Sequence, residues 1–156
     1  MSCGLCCKGI IFNRATLKPH EIGFAKDSGL RYFEAGNGEY AFHLPCNLYQ
    51  NNRCSIYLNR LDACKRYRCN LLKQLANGSI DLEKSKLIVF QVKSLMDSID
   101  KQMINIEPSS EFRQKLAKFL DLQYKNLIIR EDSNALFKDI DSFYVILHRY
   151  IEGRAD

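Results

Sequence analysis

Seven cysteines carry most of the chemistry this chain can do: Cys3, Cys6, Cys7, Cys46, Cys54, Cys64 and Cys69. None lies beyond Cys69 in a chain of 156 residues, whereas cysteines that merely fill a core would scatter. Disulfides, redox thiols and metal ligation compete as explanations. Disulfides suit an even count in an oxidising compartment, and this count is odd. Cys3-Gly4-Leu5-Cys6 has the spacing of a redox pair with depressed thiol pKa. Redox folds of that kind set the pair after a strand, at a helix start, and here it begins at residue 3. Metal ligation fits best. Two thiolates separated by two residues can face one ion, and a glycine between them lets the turn close. Gly4 also leaves backbone N–H groups able to point at sulfur, which tunes an iron–sulfur cluster. Adjacent side chains diverge, so Cys6 and Cys7 are expected to separate, one binding and the other serving a second site or packing inside.

The other spacings, seven residues between Cys46 and Cys54, nine to Cys64 and four to Cys69, match neither a zinc-finger nor a ferredoxin pattern. Spacing alone leaves an iron–sulfur cluster and zinc both open; the basic surroundings described below favour the cluster first and zinc second. His43 precedes Cys46 by three positions and could stand in for a thiolate, since neutral imidazole is a good zinc ligand. His20 is expected in solvent and His148 in a structural role. Tyr57 and Tyr67 either pack in the core or shield the centre. No acid–base pair stands out among Glu21, Asp27, Glu34 and Glu107, and no Ser-His-Asp or histidine-rich hydrolase signature occurs.

The elements that must position the thiols follow from pattern. Ile10-Ile11-Phe12 reads as a short strand. Pro19 opens a helix to Lys26, with Gly29 as its stop. Residues 30–35 and 39–44 flank Gly36-Asn37-Gly38 as a hairpin. A second tight turn at Gln50-Asn51-Asn52 is expected to bring Cys46 and Cys54 together. Residues 62–76 read as one helix, ended by Asn77-Gly78. On it Cys64 and Cys69 would stand about 140° apart, so both can serve one centre only if the helix is interrupted. From Asp81 the period is helical throughout: Leu87, Val89, Phe90, Val92, Leu95, Met96, Ile99 and Met103, then, after Pro108 and a cap at Ser109 or Ser110, Phe112, Leu116, Phe119, Leu120, Leu127 and Ile128. The last stretch is Leu136, Phe137, Ile140, Phe143, Tyr144, Leu147 and Ile151. The expected fold is α+β: an irregular cysteine-rich module with a β-hairpin over residues 1–78, then a three-helix bundle over 79–156, packed as one unit.

Composition is that of an ordinary globular chain, 46% apolar and 26% charged. Between Arg53 and Lys73 six basic residues face only Asp62, a local excess equal to the whole-chain charge of +5. Basic side chains there would offset the negative charge of bound thiolates. A nucleic-acid footprint would also be a local basic cluster, but no groove-reading element accompanies it. No apolar run is long enough for a membrane helix. The opening Met1-Ser2-Cys3-Gly4 has no basic-then-apolar leader pattern, so a cytoplasmic location is expected. The helical half is a candidate surface for a protein partner.

The motifs resemble the YkgJ-like cysteine-cluster family of zinc- or iron-chelating type. They are Cys3-Gly4-Leu5-Cys6-Cys7, Pro45-Cys46, Cys54-Ser55-Ile56-Tyr57, Asn59-Arg60-Leu61, Cys64 followed by basic residues, and Cys69. They span residues 3–70. The resemblance implies that all seven cysteines are metal ligands. Two departures stand out. The family places another cysteine three positions ahead of Cys3, before Met1 in this chain, and a proline where Leu61 stands. Eight thiols would divide into two four-ligand sites, and seven leave one site short or one thiol idle. The family is similar in turn to the cysteine-rich part of flagellin lysine N-methylases, for which an iron–sulfur cluster is implied. Two further functions remain: a metal-dependent enzyme with an open coordination position, in a methyltransfer-related role, and a zinc-stabilised module that binds protein or nucleic acid. Gly36-Asn37-Gly38 is not a dinucleotide-binding motif, and no other cofactor motif is present.

Overall fold

Asn37-Gly38 sits between two alternating stretches, and that is where the chain turns back on itself. Both residues adopt positive φ, as a two-residue hairpin turn requires. The turn joins β2 (Tyr32–Gly36) to β3 (Glu39–His43). β1 (Arg14–Leu17) pairs antiparallel on the other side of β3, giving the order β1-β3-β2. In this computed structural model, residues 3–106, 111–125 and 133–153 are described. They divide into two compact units, residues 1–67 and 68–156.

In the first unit the expected strand at Ile10-Ile11-Phe12 is absent, and β1 begins at Arg14 instead. The preceding residues are still coiled: Ile10 N–H donates to the Leu5 carbonyl at 3.0 Å, and the Ile10 side chain is buried. Pro19–Glu21 forms a 3-10 turn that runs into α1 (Ile22–Asp27), and Gly29 ends it. β4 (Tyr49–Gln50) and β5 (Arg53–Cys54) form a second hairpin, whose turn residues Asn51 and Asn52 both have positive φ. Leu17, Ala25, Leu30, Phe42, Leu48 and Leu61 make the apolar core, with Cys46 and Cys64 packed on its edge.

The stretch read as one helix from 62 to 76 is two: α2 (Asp62–Arg66) and α3 (Asn70–Ala76). Tyr67 and Cys69 between them are extended, with ψ of 132° and 163°. No glycine or proline marks the break. Tyr67 packs edge-on against Phe12 at 4.9 Å, a contact that local propensity cannot register.

The second unit is helical and begins with α3. α4 (Leu82–Gln102) is capped by Asp81, whose Oδ1 accepts the Lys84 N–H at 2.7 Å. α5 (Phe112–Tyr124) and α6 (Ser133–Ile146) follow, and α6 runs on into a π-helical turn, Leu147–Glu152. A bundle of three helices alone is therefore not what the described residues form. α3 packs on both α4 and the π-helical turn. The expected cap at Ser109 or Ser110 lies outside the described residues, as do Glu107, Pro108, Leu127 and Ile128. Glu111 takes the N-cap position of α5. The buried stripe of α4 is Ile88, Val92, Met96 and Ile99, continued by Met103. Val92, Met96, Ile99 and Met103 are buried as the pattern predicts, whereas Leu87 and Phe90 stand in solvent and Ile88 takes the buried place. No helix of the described residues is long and apolar enough to cross a membrane.

Glu21 is a charged residue the core uses structurally. Its carboxylate accepts the Lys18 N–H at 3.0 Å and the Asp62 N–H at 2.7 Å, while Glu21 itself is only 8% exposed. It satisfies donors at the starts of two helical segments that have no partner within their own helix. Glu21→Ala should lower unfolding free energy by about 1–3 kcal/mol, because it strands two backbone N–H groups. Denaturant titration checks this. Glu21→Gln should lose less, and an unchanged midpoint for the alanine variant would remove the role.

Candidate metal centre

The cysteines arrive on separate pieces of chain. Cys3, Cys6 and Cys7 lie in a tight N-terminal coil, held by Lys8 N–H to the Gly4 carbonyl at 2.9 Å and Gly9 N–H to the Cys6 carbonyl at 3.0 Å. Cys46 follows the cis Leu44–Pro45 bond at the exit from β3. Its N–H donates to the Cys7 carbonyl at 2.7 Å, which ties the coil to this segment. Cys54 ends β5 and pairs across the small hairpin with Tyr49. Cys64 sits in α2.

All seven are reduced and half-buried. Burial and, after it, the nearby Cys46, Cys54, Cys64 and Cys3 together push the Cys7 thiol up to about 12. Cys64 rises to about 11, through burial and then Cys46 and Cys54, against the pull of Arg60. Burial also raises Cys46, while backbone N–H groups of Leu48 and Tyr49 and the charge of Arg31 act in the opposite sense. Five thiols, those of Cys3, Cys7, Cys46, Cys54 and Cys64, thus share one poorly solvated region of the first unit. Cys6 lies within the same coil. Cys69 opens α3 of the second unit, at its N-cap.

The hairpin at Asn51-Asn52 brings Cys46 and Cys54 near each other, as its turn residues predict. His43 is exposed and stacks on the Phe33 ring at 4.3 Å. His20 is exposed, and His148 lies beside Tyr144 in the helical unit. Tyr57 is largely in solvent under the Arg60 guanidinium, which lies 4.2 Å from its ring centroid. Of the six basic residues from 53 to 73, Arg60 is partly buried and its charge favours thiolate at Cys64, while Arg53, Lys65, Arg66, Arg68 and Lys73 have exposed side chains. Arg31, a charge that acts on Cys46, lies outside that run.

Sequence reading passed over Tyr49 at the thiols. Its Oη and the Nε of Arg60, a residue of the basic run, are buried and have no hydrogen-bond partner. The signal for Tyr49 was its register: a two-residue turn at 51–52 sets positions 49 and 54 opposite each other, and opposed residues share a face of the ladder.

The donor set suits a soft metal. Clustered thiols with low solvation, mutually raised pKa values and unpaired N–H and O–H donors alongside are complementary to a cation that converts them to thiolates. Among the described residues no group of three or more His, Cys, Asp or Glu side chains is already set at ligating geometry. The chemistry of the donors fits a thiophilic cation, while the side chains as placed do not form a closed shell.

A sequence model of the CxxCxxCC family, described as "Putative zinc- or iron-chelating domain", matches residues 1–92. That span takes in all seven cysteines, and it matches the resemblance carried by Cys3-Gly4-Leu5-Cys6-Cys7 and the later cysteines. Neither a curated protein nor a solved structure gives a match. With more than half of its length matched, this chain belongs to the CxxCxxCC family of zinc- or iron-chelating type.

Proposed function

We propose that this protein holds a metal centre on thiolates drawn from Cys3, Cys6, Cys7, Cys46, Cys54, Cys64 and Cys69, with an iron–sulfur cluster as the first candidate and zinc as the second. The observation that carries this reading is the convergence on Cys7. Thiols from the N-terminal coil, the β3 exit, β5 and α2 all act on it, in a region where burial already disfavours their charge. Such a region is costly to fill with thiolates and favourable to fill with thiolates and a cation. An iron–sulfur cluster would supply electron transfer at this place, and zinc would supply cross-linking of the coil to the sheet and α2. The protein's own part is to bring the thiols together, keep water sparse, and place Arg60 and Arg31 where they favour thiolate at Cys64 and Cys46.

The exposed basic run supports a second reading, a zinc-stabilised module that docks on an anionic partner such as nucleic acid. Duplex DNA binding at low salt that weakens steeply with added salt would carry it, and no binding at low salt would remove it.

Metal analysis with an absorption spectrum, on protein purified without oxygen and without a histidine tag, tests the main reading. Iron with inorganic sulfide and a broad visible charge-transfer band selects the cluster; zinc in colourless protein selects zinc. Protein that takes up neither metal, with every thiol free to react, would sink the proposal. Cys7→Ser should lose most of the bound metal, since Cys7 is the thiol the others surround.

The pH dependence has a definite sign. In metal-free protein Cys7 has a folded pKa raised from 9.0 to about 12, so the folded state holds its proton more tightly than the unfolded state does. That contribution to stability is intact below pH 9 and is lost as pH rises toward 12. The denaturation midpoint of metal-free protein should therefore fall between pH 8 and pH 11, beyond the fall seen for Cys7→Ser. Metal uptake near neutral pH must release these protons, so affinity should weaken as pH is lowered.

A further inference from the structure

Tyr49 is placed for more than packing. It pairs directly with Cys54 across the β4–β5 hairpin, so both side chains leave the same face of the ladder. That face looks onto the N-terminal coil. The phenol oxygen is buried, makes no hydrogen bond, and lies against the backbone of Gly4, where a Cβ would collide with it. Gly4 has a φ of +77°, so a side chain there is strained on conformational grounds as well. The phenol also feels Cys7 and then Cys3, after the larger effect of its own burial. A buried hydroxyl left without a partner is destabilising. A phenylalanine would fill the same space without that cost, so the hydroxyl asks for an acceptor.

A neutral thiol is a poor acceptor. A metal-bound thiolate is a strong one, and hydrogen bonds to an ionised acceptor are about twice as strong as neutral ones. We propose that the Tyr49 hydroxyl donates a hydrogen bond to metal-bound sulfur on the Cys3–Cys7 side of the centre, and that Gly4 is the clearance that admits it. This rests on the metal-binding reading above. Tyr49 is then a positioning and tuning residue: it touches a ligand and not the metal. It spreads the negative charge of sulfur, which strengthens retention of the metal at neutral pH and makes a cluster easier to reduce. Sulfur-to-metal charge-transfer absorption reports the same interaction, because a hydrogen bond lowers the energy of the sulfur electrons.

Tyr49→Phe removes the hydroxyl and keeps the ring. Wild type, Tyr49→Phe and Tyr32→Phe, a control in the same unit, would each be titrated anaerobically with Co²⁺ in competition with Zn²⁺, and separately reconstituted with ferrous iron and sulfide. The expected result is unchanged stoichiometry for Tyr49→Phe, affinity weaker by about 10–100-fold, and a sulfur charge-transfer band moved to lower energy. In the iron form the reduction potential should fall. Tyr32→Phe should match wild type. Gly4→Ala should reproduce the spectral change of Tyr49→Phe, since it pushes the phenol away. If wild type loads and Tyr49→Phe matches it in affinity and spectrum, the hydrogen bond is overturned while the metal reading stands. If wild type takes up neither Co²⁺ nor iron, both are overturned.

Discussion

Thiols gathered out of water repel each other's charge, and this repulsion governs the first unit. Burial does most to push the Cys7 thiol up, and each half-buried sulfur near it adds to the cost of its ionisation. A chain that only needed stability would place aliphatic groups there. The surrounding structure acts instead to hold these sulfurs together. The Cys46 N–H to Cys7 carbonyl bond fixes the coil to the sheet exit. The Asn51-Asn52 turn returns Cys54 to the same region, and the Glu21 carboxylate anchors the start of the helix that carries Cys64.

Two guanidinium groups act on the sulfurs in the sense that favours thiolate: Arg60 on Cys64, from within the basic run, and Arg31 on Cys46, from outside it. Net charge along a sequence window thus takes in Arg60 and misses Arg31, which the fold alone brings to Cys46. Distance and desolvation decide electrostatic effect, and neither is a property of a window.

The same distinction separates the two histories of residues 62–76. Local propensity favours one uninterrupted helix, and every residue type in the stretch permits it. The chain leaves the helix at Tyr67, which packs its ring edge on Phe12, and re-enters it after Cys69. Cys64 and Cys69 are thereby freed from the fixed angle that a continuous helix would impose. In the helical unit, periodicity found each element among the described residues and most of the buried stripe of α4, but it assigned Leu87 and Phe90 to that stripe and omitted Ile88. Leu87 and Phe90 are as apolar as Ile88 and Val92, so type alone could not rank them.

By itself the sequence determined which atoms can do chemistry and where the chain must turn. Thiols confined to one end of the chain, the positive-φ turns at Asn37-Gly38 and Asn51-Asn52, the stop at Gly29 and the cap at Asp81 are all local, because each depends on the conformational range or donor inventory of one or two residues. The family's cysteine order is legible for the same reason. Tertiary structure alone decided which thiols become neighbours, that His43 stacks on Phe33, that α2 and α3 separate, and that a tyrosine hydroxyl is buried against Gly4 beside Cys7 and Cys3. Those outcomes depend on contacts between residues far apart in the chain, and their energies arise only once water has been removed from between them.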